Sequence, residues 1–574
     1  MVAWSRICLA LSTVGGAYAA PSAANHGPLT LFSEIKQIPS KWQSTGAAAK
    51  SALIKGQIGL KQGDIKGLEA KLLDISNPSS ENYGKWLSQD EVAKYTAPAE
   101  GSVDAVKSWL AAHGISETSQ PTNDWIEFTA PVSQMESLLG TQYEWFTHDE
   151  SGITIPRTTK YLVPQALHDH IDMITPTTAF YNAIGAHAAA TEESDVVANA
   201  VERRDACLSN GHMTPACINQ HYNVDYTAKG TQLCGTTGLI GIGANHTDYA
   251  TFGNAYVSGL KDFSDVTINN APNSGNGTEM EGNLDTQYMG GLCYPNPSVY
   301  LSAGPTGAQD SQFGDALANI ASYLTSTSNP PSVVSTSYGG EENGFDGDYM
   351  DRVCNEFMKA GSLGITLTLS TGDHGVAANG ETSCYNNGFY AMWPASCPYV
   401  TAVGGTQFGS SGEVVANFQT LNKKYTSPGG GYSWHFSAPD YSKNVTTAYA
   451  NSLDSSYNGY LNTGGRGYPD ISLVSVNFET YINGQLYHMF GTSASSPSVA
   501  AFIGVLNDYR NSTGKSTLGF INPLLYSSTA ATAIRDITSG NNFGCGLNGF
   551  YAGTGWDAAS GLGSLDFGKL RAVI

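Results

Sequence analysis

Two rhythms of apolar and polar positions divide the chain. In its first third, helical spacings alternate with short strand-like runs, which predicts a small α+β unit. Apolar positions three and four apart predict helices from about Ile58 to Leu73, from Ser102 to His113 before Gly114, and from Ser133 to Leu139 before Gly140. Ser88 and Glu91 carry the Ser-x-x-Glu signature of a capped helix start, and Trp125–Ala130 and Tyr143–Thr147 read as strands. From Gly185 to Arg204 the rhythm lapses into Ala, Glu, Ser and Val and ends on Arg203-Arg204. That predicts a linker with a dibasic processing site.

After Arg204 continuous apolar runs at Gly238–Gly243, Ser332–Tyr338, Gly364–Ser370 and Tyr399–Gly404 alternate with helical segments at Gln309–Leu324 and Gly347–Ala360. Buried strands between helices predict a mainly parallel α/β sheet, whose chemistry gathers at the carboxyl ends of its strands. Asp373 and Ser493 are both expected at such ends. A strand from Gly484 to Phe490 and a helix striped by Val499, Phe502, Ile503 and Leu506 bracket Gly491-Thr492-Ser493-Ala494. Ser493 is therefore expected on a sharp strand-to-helix turn, its hydroxyl lifted toward substrate near the positive end of a helix dipole. Ser or Thr at such a turn equally serves as a plain N-cap.

Composition adds the compartment. Residues 1–19 carry one basic residue, Arg6, an apolar run from Ile7 to Val14, and Ala17-Tyr18-Ala19, the pattern of a cleaved secretory signal peptide. No later segment has the roughly 18 consecutive apolar residues of a membrane span, so a secreted, extracellular protein is expected. Once Cys8 leaves with the signal, eight cysteines remain, at 207, 217, 234, 293, 354, 384, 397 and 545. An even number in an exported chain predicts disulfides, the spacings fit no zinc pattern, and the connectivity stays open. Sequons at Asn245, Asn276, Asn444 and Asn511 agree with that route.

The formal charge of -21 excludes the basic footprint that nucleic acid requires. From Asp205 onward 13 Lys and Arg face 27 Asp and Glu, a balance of -14. Acid would neutralise those carboxylates and leave few cations to repel one another, which suits a low-pH compartment and equally fits ordinary secreted composition.

Candidate chemistry sharpens the choice. Glu281 and Asp285 stand four apart in a predicted helix, so their carboxyls share a face and can share a proton, and crowding should raise one pKa. Met280, Leu284 and Tyr288 make the adjoining apolar stripe that would press this face toward the core. Thr278 and Glu281 also fit a simple capping box that leaves Asp285 exposed. His212, His221, His246, His374, His435 and His488 lack a His-Gly-Thr setting, while His168 and His170 in the first unit read as packing or surface residues. A serine served by carboxylates rather than histidine implies chemistry at roughly pH 3 to 5, where the base is ionised and its neighbours are protonated.

This set resembles the sedolisin family of serine-carboxyl peptidases, secreted acid proteases with a subtilisin-like fold. The likeness rests on Glu281-Gly282-Asn283-Leu284-Asp285, Ser335-Thr336-Ser337-Tyr338-Gly339, Ser370-Thr371-Gly372-Asp373-His374-Gly375 and Gly491-Thr492-Ser493-Ala494. The run from Asn77 to Ser88 and Tyr161-Leu162-Val163-Pro164 resemble the family's prodomain, and Gln287-Tyr288 after the pair is close to the form in tripeptidyl peptidases. The resemblance implies a subtilisin-like catalytic domain with a mainly parallel sheet at 205–574, behind a ferredoxin-like α+β inhibitory prodomain at 20–184 and a linker at 185–204. It implies Ser493 as nucleophile, Glu281 as base, Asp285 as its partner and Asp373 as a protonated oxyanion donor. It also implies one structural calcium ion, held by the side chains of Asp536 and Asp557 and the carbonyls of Ile537, Gly553 and Gly555.

The expected protein is a monomeric zymogen that acts on protein and peptide substrates, with its own prodomain as intramolecular inhibitor and neither nucleic acid nor membrane as partner. It releases tripeptides from free N-termini, with endopeptidase action and an inactive binding protein as alternatives. Acid is expected to release the prodomain by protonating interface carboxylates. Phe490 and His374 depart from the commonest family form without removing a catalytic group. The extra cysteines point to a fungal branch, with Cys207–Cys217 and Cys384–Cys545 as conjectured pairs.

Overall fold

The computed structural model describes residues 27–574 apart from 36–37, 39–41, 150–151, 153, 181–183, 186–188, 192–210, 240, 270, 276–279, 305–312, 378–383, 385–387, 411 and 420–424. The expected signal peptide, Arg203-Arg204, Cys207, Asn276 and Thr278 lie outside the described residues.

The amino-terminal unit is built on β1 (Leu53–Leu60), β2 (Trp125–Pro131) and β3 (Ile171–Thr175), with β1 central and antiparallel to both neighbours. Helices α1 (Ile65–Ser76), α2 (Gln89–Thr96), α3 (Ser102–Ala112) and α4 (Val132–Leu139) accompany the sheet. Ile58, Val106, Trp109, Leu110, Phe128 and Leu138 share its core. Ser88 caps α2, accepting the Glu91 N–H while the Glu91 carboxylate accepts the Ser88 N–H. The helix expected from Ile58 is a strand up to Leu60, because Ile58 and Leu60 alternate into the core. The helix begins only at Ile65, behind Asp64, whose carboxylate caps it through Gly67 N at 2.9 Å.

Two short backbone strands, β4 (Ile184–Gly185) and β5 (Ala189–Thr191), follow this unit. The second unit then lays down β6 (Cys234–Gly238), β7 (Ser264–Ile268), α5 (Met280–Cys293), β8 (Ser298–Ala303), β9 (Val333–Thr336), β10 (Tyr338–Glu341) and α6 (Gly347–Ser362). Its remaining framework is β11 (Thr366–Ser370), β12 (Thr401–Gly409), β13 (Ile471–Val474), β14 (Phe478–Ile482), β15 (Gln485–Phe490) and α7 (Thr492–Ser512). The large sheet runs β7-β8-β6-β9-β11-β12-β13, all parallel, with Gly412–Val415 antiparallel on β12. Helices cover both faces. In β9, Val333 joins the layer of α5 and α7 while its neighbour Val334 joins the layer of α6.

The first strand of the large sheet lies at Cys234–Gly238, ahead of the apolar run at Gly238–Gly243 that the sequence suggested. It is built of small and hydroxyl residues. Thr237 bonds Thr336 on the next strand, and a Cβ on Gly238 would strike the Tyr300 hydroxyl. Disulfides join Cys234 to Cys293, Cys354 to Cys397 and Cys384 to Cys545, the last as conjectured. The first ties the far end of α5 to β6.

The two units meet over α6. Arg352 reaches into the first unit, donating to Asp124 Oδ2 at 2.9 Å and Asp172 Oδ2 at 3.2 Å, and lies 4.5 Å over the Trp125 ring. Lys359 adds a second cation 3.1 Å from Asp124 and pairs with Glu356 at 2.7 Å, while Glu356 accepts from Arg352, Gln62 and Trp125. A second anchor is Trp86, whose indole N–H donates to Thr517 O at 2.9 Å. Its ring lies where side chains on Gly364 and Gly519 would stand. Thus the prodomain-like run from Asn77 to Ser88 contributes a docking residue.

Candidate active site

Ser493 is the second residue of α7 and is buried. The strand before it, β15, belongs to an antiparallel hairpin with β14 rather than to the parallel sheet, contrary to the sequence expectation. The turn itself is as expected. Gly491 has φ of +134°, a region closed to other residues, and a Cβ there would stand 2.5 Å from Asp373 Oδ2. The apolar stripe expected on α7 is buried, but so is nearly every other residue of that helix.

Asp373 does follow the end of a sheet strand, β11. Its Oδ1 accepts from Thr492 N at 2.7 Å and Thr492 Oγ1 at 2.9 Å, which fastens it to the serine turn. Thr492 Oγ1 in turn accepts the N–H of Gly372. The second oxygen, Oδ2, is buried and takes no hydrogen bond from the described residues. Burial pushes the Asp373 carboxyl up to about 6 against the lowering effect of Thr492. Below that value it is a neutral acid with an O–H to give.

Glu281 and Asp285 lie in the opening turns of α5, both buried, so the reading that left Asp285 exposed does not hold. Ser337 Oγ donates to Asp285 Oδ1 at 2.8 Å, while Oδ2 takes no hydrogen bond from the described residues. Burial pushes Asp285 well above the usual carboxylate range despite Ser337. Both carboxylates lie close enough to the buried Tyr338 phenol to help keep it protonated.

The expected apolar stripe is only part of the reason α5 sits here, since Glu281 to Cys293 are buried on every side and Met280, the first of the stripe, is exposed. Polar side chains hold the helix. Asn283 donates to Asp248 Oδ2 and Tyr481 O, and Gln287 exchanges two hydrogen bonds with the Tyr481 backbone. Gly282 permits the approach, because a Cβ would stand 2.0 Å from Gly243 O. Helices α5 and α7 pack against each other, which brings the carboxylate pair and Ser493 onto adjoining elements.

Some residues of the site carried no role in the sequence reading. Ser337 and Thr492 lie inside recognised motifs, yet only the fold reveals that each holds a catalytic candidate. Ser335, Ser496 and Thr368 form a hydroxyl chain from β9 through α7 to β11, at 2.9 and 3.2 Å. Four of the six histidines after Arg204 pair with carboxylates away from the serine turn: His221 with Glu413, His246 with Asp262 and Asp265, His435 with Asp351, and His212 with Glu479. His168 and His170 bond Thr30 and Ser102 within the first unit.

Of the two short strands after the first unit, β4 pairs with the strand that follows Ser337 and β5 with the strand that leads into the serine turn. β4 pairs antiparallel with β10, Ile184 opposite Gly339 and Gly185 opposite Tyr338. β5 pairs antiparallel with β15, from Ala189 opposite Phe490 to Thr191 opposite His488.

The residues expected to hold calcium converge at the carboxyl end. Asp536 Oδ2 accepts from Gly555 N at 2.9 Å, and Asp557 Oδ2 from Gly553 N at 3.0 Å, so both carboxylates clasp one turn. Asp557 is wholly buried, and among the described residues neither aspartate forms an ion pair with Lys or Arg. Side chains on Gly553 and Gly555 would meet nothing within 4 Å, which leaves open space beside the turn. A donor set of two carboxylates and backbone carbonyls, all oxygen, fits a hard cation.

Residues 40–180 match the activation domain of pro-kumamolisin, and residues 240–546 match the subtilase family. The chain is 33% identical to tripeptidyl-peptidase sed4 of Aspergillus fumigatus, over 94% of this chain and 96% of that one. It is 30% identical to tripeptidyl-peptidase SED2 of Arthroderma otae, over 94% and 95%. Among solved structures, Pseudomonas sedolisin, a serine-carboxyl proteinase complexed with pseudo-iodotyrostatin, superposes with a TM-score of 0.51 at 28% identity, over 63% of this chain and 97% of that one.

Proposed function

This chain belongs to the sedolisin branch of the subtilase family, and from that premise we propose that it is a secreted acid serine-carboxyl peptidase, made as a zymogen, that releases tripeptides from free N-termini. The observation that carries the reading is Asp373, a buried carboxyl fastened to the serine turn by Thr492, with one oxygen left for a ligand and a pKa of about 6. Such a group serves as a neutral oxyanion donor only in acid.

In the proposed reaction Ser493 Oγ attacks the scissile carbonyl carbon while Glu281 takes the hydroxyl proton. Asp373 and the Ser493 backbone N–H donate to the oxyanion. Collapse breaks the C–N bond as Glu281 returns its proton to the leaving amine, and the acyl ester remains on Ser493. Water, deprotonated by Glu281, then attacks the ester and the sequence reverses. Asp285 is kept protonated by burial and shares its proton with Glu281, which tunes the base; Ser337 fixes its orientation.

Asp536 and Asp557, with the carbonyls of Ile537, Gly553 and Gly555, would hold a calcium ion that braces the carboxyl-terminal loop and takes no part in the reaction. The domain plan is a signal peptide at 1–19, a prodomain at 20–184, a linker at 185–204 and a catalytic domain at 205–574. The pairing of β4 with the strand that follows Ser337, and of β5 with the strand that leads into the serine turn, supports inhibition by this part of the chain. That same pairing favours a second reading, cleavage within chains, because both strands accept an added length of backbone.

Hydrolysis of a free-amine tripeptide fluorophore and of its N-acylated twin, across about pH 3 to 7, separates the two. Cleavage of only the free amine, lost in Ser493→Ala, supports tripeptide release. Equal cleavage of the blocked twin makes the enzyme an endopeptidase, and no cleavage of either overturns the peptidase assignment.

A further inference from the structure

His212, Glu479 and His488 form a second cluster of ligand-capable side chains, outside the catalytic residues and outside the calcium loop. Their donor atoms all lie within 4.8 Å of one another. Glu479 on β14 and His488 on β15 are directly paired positions of the hairpin that leads into the serine turn. His212 comes from the segment just after the linker, which is pinned to the same hairpin. Met213 N donates to Asn477 O, and Met213 O accepts from Glu479 N. Three backbone positions are therefore set by hydrogen bonds before any ligand arrives.

The side chains converge as a metal site requires. His212 Nδ1 lies 2.8 Å and His488 Nε2 3.8 Å from the same oxygen, Glu479 Oε1, and the two imidazole rings stand 4.2 Å apart. Tetrahedral ligands at metal distances of about 2.0–2.1 Å lie roughly 3.3 Å from one another, so the observed separations straddle what a bound ion would impose. The other oxygen, Oε2, accepts from the Tyr256 hydroxyl, an orienting bond of the kind that supports ligating carboxylates. Glu479 and His488 are buried, whereas His212 is 31% exposed, which gives an ion a way in and a water-facing position.

We propose that His212, Glu479 and His488 bind one borderline divalent cation of the Zn²⁺, Co²⁺ or Ni²⁺ class, which clamps the start of the catalytic domain to the β14–β15 hairpin. Two imidazoles and one carboxylate select such ions over Ca²⁺, which takes oxygen ligands. The site is structural and lies directly behind the linker, because His488 is the residue that Thr191 of β5 pairs with. An occupied site would stiffen the hairpin that carries Gly491 and Ser493 and the strand on which the linker lies.

The test uses the full-length precursor with Ser493→Ala, which keeps it intact, and without a histidine tag. After chelation and return to calcium-containing buffer at about pH 7.5, where imidazole is neutral, it is titrated with CoCl₂. The expected result is one equivalent of bound Co²⁺ with the visible bands of low coordination, displaced by Zn²⁺ and unaffected by excess Ca²⁺. His212→Ala should weaken Co²⁺ binding more than about tenfold. Absence of the bands in the otherwise unaltered precursor overturns the proposal, as does their persistence in His212→Ala/His488→Ala. Should the double variant not fold, thermal unfolding of the precursor and of His212→Ala with and without ZnCl₂ decides the matter. A Zn²⁺-induced rise confined to the unaltered site supports the proposal, and equal rises overturn it.

Discussion

Asp124→Asn is the sharpest probe of how the prodomain is held. Asp124 is fully buried and accepts from Arg352 at 2.9 Å, Lys359 at 3.1 Å, Gln62 at 2.8 Å and Thr122 at 2.7 Å. The amide keeps the shape and removes the charge. Breaking one side of a buried ion pair costs about 3–5 kcal/mol. Here Glu356 and Asp172 still face the two cations, so the lower end applies, about 3 kcal/mol or on the order of a hundredfold weaker docking. The assay is the rate at which the full-length precursor converts to active enzyme at fixed pH, read with the free-amine substrate. Asp124→Asn should convert up to about a hundredfold faster. Removing the facing charge as well, in Asp124→Asn/Lys359→Met, should recover part of the difference. A folded Asp124→Asn precursor that converts within about twofold of the parent would refute the claim that this cluster holds the prodomain.

The same cluster bounds what acid can do. Burial pushes the Asp124 carboxyl up, but Lys359 and then Arg352 overcome it and hold it well below the usual range. A depressed carboxylate contributes fully above its undocked pKa, near 3.9, and loses its contribution as pH falls below that. The loss is only about a third of a kcal/mol at pH 4 and a little over 1 kcal/mol at about pH 3. Asp172 works the other way: burial pushes it up despite Arg352, so it takes up protons on docking and acid favours the docked state through it. Conversion driven by this cluster should therefore steepen below about pH 4, and Asp124→Asn should flatten that steepening.

Four further outcomes follow from the geometry. Asp373 is a neutral donor below about 6 and loses its proton as pH rises through that value, so kcat should fall on the alkaline side there; Asp373→Ala should cost about 10²–10³ in kcat, and Asp373→Asn should lose the alkaline limb. An unchanged limb in Asp373→Asn would contradict the role. Gly491→Ala meets both a φ of +134° and Asp373 Oδ2, and should abolish turnover in a protein destabilised by about 1–3 kcal/mol, measured by thermal unfolding. Trp86→Ala removes an anchor with no titrating group, so the precursor should convert faster with an unchanged pH slope. EGTA should lower the unfolding temperature reversibly through the loop of Asp536 and Asp557, and Asp557→Asn should remove that response.

The proposed catalytic centre can be read in the sequence because its chemistry is local. Glu281 and Asp285 share one helical face, Gly491 and Ser493 share one turn, and Asp373 follows one strand, so short motifs carry each group. What the motifs could not convey is how each group is held, since every holding contact crosses the fold. Thr492 meets Asp373 across 119 positions, Ser337 meets Asp285 across 52, and Asp124 meets Arg352 across 228. β6 was displaced because it is a central strand of Gly, Thr and Cys, without the apolar run that marks its neighbours, and α5, expected as a helix, is buried all round although half its opening turns are polar.

In α5 the polarity is itself the reason for burial. Asn283 and Gln287 spend their hydrogen-bonding capacity on Asp248 and on the backbone of Tyr481, so they can be enclosed at little cost. Their enclosure carries Glu281 and Asp285 into a dry environment that raises a carboxyl's pKa. A helix with a clean apolar stripe would have left one face in water and its acids ordinary. The polarity that a single apolar stripe does not describe is thus what suits its carboxylates to the acid catalysis proposed for them.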